Sequence, residues 1–272
     1  MTAVEFLLPS FIACLILTGI HAYLGIHVIS RGVIFIDIAL AQIAALGMTV
    51  ALLFGFAPES QIAYGIGLVF TFAASLFFAF FREKRIPQEA VIGVAFAVSS
   101  ALALLVADRL PHGSEHLKFI LTGNILWVGW HQIAKTAVIY AALGFLHYRF
   151  RRSFLLVSTD PEEAQRKGLR LWFWDLLFYL SFGLVITSSV QIGGILLVFS
   201  FLIVPALIGF LFYPDLRRRL LLGWLVGGLT SLAGITTSYL ADWPTGAVIV
   251  AFFGLSLFLG ITVRRLQRGP VA

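Results

Sequence analysis

Several side chains that can bind a metal ion lie within long apolar stretches of the sequence. The first stretch contains Cys14, Thr18 and His21 at helical spacing, which places them on one face. The second contains Asp37 and Gln42. Imidazole and thiolate suit zinc, whereas carboxylate suits manganese. Because an ionisable group in apolar surroundings is costly, His21 and Asp37 are candidate ligands for a divalent metal ion.

The same residues also have structural interpretations. Cys14 can pack as a small side chain, and His21 can hydrogen-bond to a neighbouring helix. Asp37 can form an ion pair with Arg31, which precedes it in the sequence. Both kinds of interpretation stay open at this point.

A second group of metal-binding residue types is His112, Glu115 and His116, which match the H-x-x-E-H pattern of some zinc peptidases. Pro111 and Gly113 disfavour a long helix there, and no third ligand stands out downstream. Two other interpretations stay open. The group can be an outer relay that receives metal ions, or a polar loop exposed to water.

The composition indicates where these residues are placed. Of the 272 residues, 60% are hydrophobic and 12% are charged, against about 25% charged residues in a soluble domain. One core of this size cannot bury so much apolar surface, which excludes a soluble enzyme and a disordered chain. The single cysteine excludes an intramolecular disulfide. We therefore predict an all-α polytopic transmembrane helical bundle.

Nine apolar segments approach the roughly 20 residues that cross a bilayer. They are residues 6–29, 33–56, 63–81, 90–107, 131–147, 173–190, 194–212, 220–240 and 246–263. The count becomes eight if the first two form one broken unit. The stretch 117–128 is too short to cross, and we expect a re-entrant or interfacial helix there. Residues 1–272 form one predicted transmembrane domain.

The basic residues predict the orientation of the chain. Sixteen of the nineteen, including Arg82, Lys84 and Arg85, fall in one alternating set of loops. Because cytoplasmic loops attract Lys and Arg, we predict an outer N-terminus and a cytoplasmic C-terminus. The net charge of +6 then describes a membrane face and does not indicate a nucleic-acid partner. Asp175, next to Trp172 and Trp174, fits an interfacial belt.

The longest loop on the predicted cytoplasmic side, residues 149–170, contains a short helix pattern at about residues 160–168. Asp160 is a favoured N-cap, Pro161 suits the first turn, and Gly168 can end the helix. Two helical turns in water bury little surface and gain stability from a partner. An ordinary charged loop is the alternative.

Glu163-Ala164 followed by Gly168 resembles the coupling helix of ABC importer permeases. Further motifs, in order along the chain, resemble the permeases of zinc/manganese/iron-type ABC importers. They are Leu24-Gly25 through Arg31-Gly32-Val33-Ile34-Phe35 to Ala39-Leu40 and Gly47; Glu89-Ala90-Val91-Ile92-Gly93; Gly194-Ile195-Leu196-Leu197-Val198 with Leu202-Ile203-Val204-Pro205-Ala206; and Ser238-Tyr239-Leu240 with Asp242-Trp243-Pro244-Thr245-Gly246-Ala247.

The resemblance implies the ABC importer permease fold in a bacterial cytoplasmic membrane. It implies a pore-forming dimer that receives a divalent metal ion, its substrate, from an extracytoplasmic metal-binding protein. The chain would dock a cytoplasmic ATP-binding subunit through Asp160, Glu162, Glu163, Ala164 and Gly168. It has no G-x-x-x-x-G-K-[ST] phosphate loop, so ATP would bind the partner subunit. We expect no catalytic residue and no cofactor bound by this chain.

The second apolar stretch departs from the family pattern. Aligning the motifs puts the family's acid at Ile38 and its histidine at Gln42, and Asp37 lies one residue early, turned by about 100° around a helix. Either the helix is locally rotated, or the ion is handled by Asp37, Gln42 and histidines such as His21. Three other functions stay open: a metal-chelate permease, a secondary transporter, and a membrane-embedded zinc hydrolase that uses His112, Glu115 and His116.

Overall fold

The computed structural model describes residues 3–58, 60–81 and 86–268, and within them the chain is almost entirely helical. The helices are α1 (Ala3–Arg31), α2 (Ile36–Leu53), α3 (Gln61–Phe80), α4 (Gln88–Ala107), α5 (Gly113–Thr122), α6 (Trp130–Arg149), α7 (Arg151–Thr159), α8 (Pro161–Arg166), α9 (Leu171–Phe212), α10 (Leu216–Ala241) and α11 (Thr245–Arg268). The predicted all-α fold class is confirmed. Arg82, Lys84 and Arg85 of the charge argument lie outside the described residues.

Seven of the described helices are long and apolar enough to cross a membrane: α1, α2, α3, α4, α9, α10 and α11. α9 has 42 residues, and its backbone is non-helical at Gly194, with φ 72° and ψ 167°. At about 1.5 Å per residue it is long enough for two crossings of about 30 Å. It therefore contains two of the predicted segments. α6, where another was predicted, has 20 residues but carries polar groups such as Lys135. The chain is a multi-pass membrane protein.

Two connections show where sequence reasoning was incomplete. The first two predicted segments are separate helices, and Gly32 between them has a φ of 68°. The predicted short helix over residues 117–128 is wrong as one element. α5 ends at Thr122, Gly123 has a φ of 64°, and a separate 3-10 turn covers Ile125–Trp127. A side chain at Gly123 would overlap the backbone of Gly193, so this turn needs glycine both for its conformation and for the close approach.

The chain divides into two compact units. Unit 1 comprises Met1–Ile29, Thr122–Tyr140 and Ile192–Ala272. Small residues bring its helices together: Gly25 of α1 meets the backbone of Leu202 in α9, and Gly227 of α10 meets Thr18. The rings of Phe201 and Phe253 pack edge to face at 5.1 Å. Close backbone approach of this kind is how helices associate in a membrane, where the solvent is as apolar as the side chains.

Unit 2 comprises Ser30–Leu121 and Ala141–Gln191. Its helices α2 and α3 cross at Gly47 and Gly67, where a Cβ on Gly47 would lie 3.0 Å from the Cα of Gly67. Hydrogen bonds between helices add to this packing. Tyr64 and Ser188 lie 2.8 Å apart at their hydroxyl oxygens, and Thr187 donates to Thr71 at 3.0 Å. This unit contains Asp37, Gln42, the loop with His112, and α8.

The packing of Gly25 gives a stability prediction. A Cβ at Gly25 would overlap the carbonyl oxygen of Leu202, so we expect Gly25→Ala to destabilise the fold by about 1–3 kcal/mol. Gly19, in the same helix, has nothing within 4 Å of its Cβ position and is the matched control. Gly19→Ala should be neutral or stabilising, because alanine favours a helix interior. Thermal unfolding in detergent measures both, and an unchanged Tm for Gly25→Ala would contradict this packing.

Candidate functional site

Asp37 lies in the first turn of α2 and is 1% exposed. Its two carboxylate oxygens are buried and have no hydrogen-bond partner within the part of the chain that the structure describes. A buried carboxylate is costly unless it is paired or neutralised. Both oxygens are therefore left as acceptors for a cation.

Arg31 is not the partner of Asp37, so that alternative is wrong. The Arg31 guanidinium donates from Nη1 to Asp175 Oδ1 at 2.6 Å and from Nε to Ser158 Oγ at 2.9 Å. The side chains of Arg31 and Asp175 are 6% and 1% exposed. Asp175 therefore belongs to a buried ion pair, whereas its neighbour Trp172 is exposed as an interfacial residue would be.

Gln42 is also buried in α2. It follows Asp37 by five residues, about 140° around a helix, so the two side chains do not share a face. Gln42 shares a face with Ile38, which is half-buried. The structure thus keeps the family's two aligned positions together on α2 and places Asp37 on another face.

His21 is fully buried in α1, and its Nδ1 lies 2.8 Å from the carbonyl oxygen of Leu17 in the same helix. Because a carbonyl can only accept, Nδ1 is the donor of this hydrogen bond. The ring of Tyr140 packs edge to face at 6.2 Å. Cys14 is buried too, and Thr18 donates to its carbonyl oxygen at 2.7 Å.

His21 belongs to unit 1, and Asp37 and Gln42 belong to unit 2. Over the described residues, no group of three or more His, Cys, Asp or Glu side chains could hold a metal ion. Each residue therefore stands as a separate candidate ligand, and their joint role in a path stays a prediction.

His112, Glu115 and His116 differ in their surroundings. α5 begins at Gly113, so His112 precedes the helix, with a φ of 60°. His112 Nδ1 and Glu115 Oε2 lie 3.4 Å apart, and these side chains are 79% and 78% exposed. His116 is half-buried and lines an apolar cavity of about 640 Å³ with Phe119. Burial lowers the pKa of His116 below its ordinary value, which favours the neutral imidazole at neutral pH. The zinc hydrolase interpretation thus lacks a three-ligand centre in this loop.

This exposure predicts the effect of Glu115→Ala. A transporter should retain uptake within about twofold of the wild type, since exposed ion pairs contribute little. A hydrolase that uses Glu115 as its general base would lose all activity. Metal uptake into cells measures the difference, and a loss of more than tenfold would contradict the exposed-loop interpretation.

The predicted short helix is present as α8. Asp160 accepts a hydrogen bond at its Oδ1 from Glu163 N at 2.9 Å, and Pro161 occupies the first turn. Glu163 pairs with Arg166 at 3.2 Å and with Lys167 at 3.3 Å. These contacts hold a six-residue helix that would be marginal alone.

The two sides of α8 differ in exposure. Ala164 is 0% exposed, so it anchors the helix and has no surface to offer a partner. Glu162, Gln165 and Arg166 are exposed and line one shallow depression. Gly168 follows with a φ of 80°. Any contact with a partner would therefore use Glu162, Gln165 and Arg166 more than Ala164.

Sequence reasoning missed the partner of Glu89, which accepts a hydrogen bond at Oε1 from Phe35 N at 3.0 Å. Phe35 is the N-cap residue of α2, so Glu89 accepts from a backbone donor at the start of this helix. Glu89 belongs to a family-like motif, but no spacing rule connects it with a residue so far away in sequence.

The fold and these buried polar groups define a polytopic helical membrane protein with ionisable residues inside its spans. Residues 3–264 match the ABC 3 transport family, and the chain belongs to this family. Its relatives include membrane proteins of transport systems, and the family match confirms the resemblance that the motifs indicated.

Two relatives and one solved structure illustrate the match. A Haemophilus influenzae protein, named as a probable iron transport system membrane protein, is 30% identical and covers 93% of each chain. The manganese transport system membrane protein MntC of Listeria monocytogenes is 27% identical, over 94% of this chain and 89% of its own length. PsaBC from Streptococcus pneumoniae, solved with a Fab, has a TM-score of 0.80 at 22% identity, over 94% of this chain and 91% of that chain. This likeness shows a shared fold.

Proposed function

We propose that this chain is the permease subunit of an ATP-driven importer that moves a divalent metal ion, zinc, manganese or iron, across the cytoplasmic membrane. Family membership and the transport names of its relatives support this proposal. The observation that carries the metal substrate is Asp37, a buried carboxylate whose oxygens have no hydrogen-bond partner among the described residues.

Each candidate ligand is of a type that binds a divalent metal ion. Asp37 would supply carboxylate oxygens, and His21 would supply an imidazole nitrogen. Oxygen ligands favour manganese, and imidazole also suits zinc and iron.

ATP chemistry belongs to a second subunit in this proposal, since the sequence contains no phosphate loop. The exposed residues of α8 are the proposed docking surface on the cytoplasmic side. Nucleotide binding in the partner would favour one of two permease states, and the difference in affinity would move the ion. An extracytoplasmic protein would deliver the ion, and a second copy of this chain would complete the path.

A metal chelate is the second candidate substrate. Ile38 stands where the aligned family pattern has an acid, so this chain offers fewer ligands to a bare ion. Uptake by cells given equal amounts of free metal and of the chelated metal separates the two substrates. The proposal predicts uptake of the free ion, and uptake of the chelate alone would favour the second candidate.

Affinity purification of the tagged chain from its own membranes, followed by mass spectrometry, tests the importer itself. The proposal predicts a co-purified soluble subunit that contains a phosphate loop, in a fixed ratio to the permease. A secondary transporter would purify without such a subunit. Cross-linking of the same sample tests for a second copy of the chain.

A further inference from the structure

The buried ion pair of unit 2 joins elements that are far apart in the sequence. Arg31 is the last residue of α1, and Asp175 lies in the first turns of α9. The Arg31 guanidinium also lies over the ring of Phe178, 4.1 Å from its centre. Asp175 and Phe178 are one helical turn apart, so Arg31 is held by one face of α9.

A third side chain that contacts Arg31, that of Ser158, lies on α7. Ser158 Oγ accepts from Arg31 Nε at 2.9 Å and donates to the Phe154 carbonyl at 2.8 Å. Phe154 is fully buried, stacks on His147 at 4.1 Å and meets Trp174 edge to face at 5.3 Å. α7 is therefore packed firmly against α6 and α9.

α7 also leads directly into α8, the proposed docking helix. It ends at Thr159, and α8 begins at Pro161, so Asp160 alone joins them and caps both. Ser158 lies only two residues before that joint. Only two residues of backbone separate Ser158 from α8, and Ser158 is hydrogen-bonded to Arg31.

Arg31 is followed in the sequence by the short connection that leads to α2 and Asp37. Gly32 has a φ of 68° and open space around its Cβ position, and α2 starts at Ile36. Glu89 holds the start of α2 through Phe35 N. The chain from Arg31 to Asp37 is therefore short. The start of α2 is held by Glu89, and Gly32 lies directly after Arg31.

We infer that Arg31 is a positioning residue that transmits displacement of α8 to the start of α9 and to the connection that leads to Asp37. The inference rests on the proposed function, in which α8 docks an ATP-binding subunit. Arginine suits this role because its planar guanidinium binds Asp175 and Ser158 at once and stacks on Phe178. A lysine would keep the charge beside Asp175 but cannot make both hydrogen bonds with the same geometry.

The test measures ATP hydrolysis and metal uptake in the same liposomes, which contain the permease and its co-purified ATP-binding subunit. The probe is Mn²⁺, Fe²⁺ or Zn²⁺, whichever the wild type imports. For Arg31→Lys we expect normal co-purification, ATP hydrolysis within about twofold of the wild type, and about tenfold less ion imported per ATP, since a hydrogen bond to a charged group is lost. Ser158→Ala, which keeps the ion pair, should lower the same ratio.

The control is Arg218→Lys, because Arg218 is an exposed arginine that pairs with Asp215 at 3.4 Å. It should leave the uptake-to-ATP ratio unchanged. A wild-type ratio in Arg31→Lys overturns the inference. Loss of the ATP-binding subunit in Arg31→Lys also overturns it, since Arg31 would then only support the fold of the docking surface. If the wild-type chain brings down no such subunit, the proposed function fails, and this inference fails with it.

Discussion

Asp37→Asn should lower metal uptake by about 100-fold, because the substitution removes the buried negative charge that attracts the ion. Losing one member of a buried charge pair costs about 2–5 kcal/mol, and each 1.4 kcal/mol is about a tenfold change in affinity. Asparagine has nearly the same shape, so the packing of α2 stays the same. Initial rates of uptake into cells that express equal amounts of each chain measure the effect.

The same variant distinguishes a transport role from a structural one. The side chain of Asp37 makes no hydrogen bond among the described residues, so removing its charge breaks no hydrogen bond there. We expect the Tm of Asp37→Asn in detergent to equal or exceed that of the wild type, because an unpaired buried charge destabilises the fold. Asp108→Asn, at the exposed end of α4, is the matched control and should change neither uptake nor Tm. Full uptake by Asp37→Asn would contradict the proposed role.

The second large effect concerns the docking helix, which has little stability of its own. Asp160→Ala removes the N-cap, and Gly168→Ala places a side chain at a φ of 80°. Each change lowers the stability of α8 by about 1 kcal/mol or more. Because α8 has only six residues, we expect the two changes together to unfold it. We expect the amount of ATP-binding subunit that co-purifies with the double variant to be about tenfold lower than with the wild type, or lower still.

A matched double variant separates docking from general damage. Asp215 caps α10 with the same geometry, accepting from Arg218 N at 2.9 Å, and Gly144 has open space at its Cβ position like Gly168. Gly144 lies within a regular helix, so alanine fits its backbone. Asp215→Ala with Gly144→Ala should purify with a normal amount of the subunit. Normal co-purification of the Asp160→Ala, Gly168→Ala variant would exclude α8 as the docking surface.

Local features were predictable from the sequence because their causes are local. Eight of the nine apolar runs predicted long helices, since these runs meet the length and hydropathy of a membrane span. Asp160, Pro161 and Gly168 predicted α8 for the same reason, because caps act on neighbouring backbone groups. The burial of Asp37 was predictable from its apolar neighbours in the sequence.

Contacts between distant residues were not predictable in this way. Arg31 was assigned to Asp37 as one alternative, because the two are close in sequence, but the structure pairs it with Asp175, 144 residues away. No spacing rule selects that partner, since it depends on how α1 and α9 pack. The turn at Gly123 was missed for a similar reason, because its cause is the backbone of Gly193.

The most direct test of the central claim is ATP-dependent metal uptake by liposomes that contain this chain, its ATP-binding subunit and the external metal-binding protein. The account predicts that ATP drives accumulation of the divalent ion, that a non-hydrolysable analogue does not, and that Asp37→Asn abolishes accumulation while ATP hydrolysis continues. Accumulation driven by an ion gradient without ATP would contradict it, and so would ATP-driven accumulation that Asp37→Asn leaves intact.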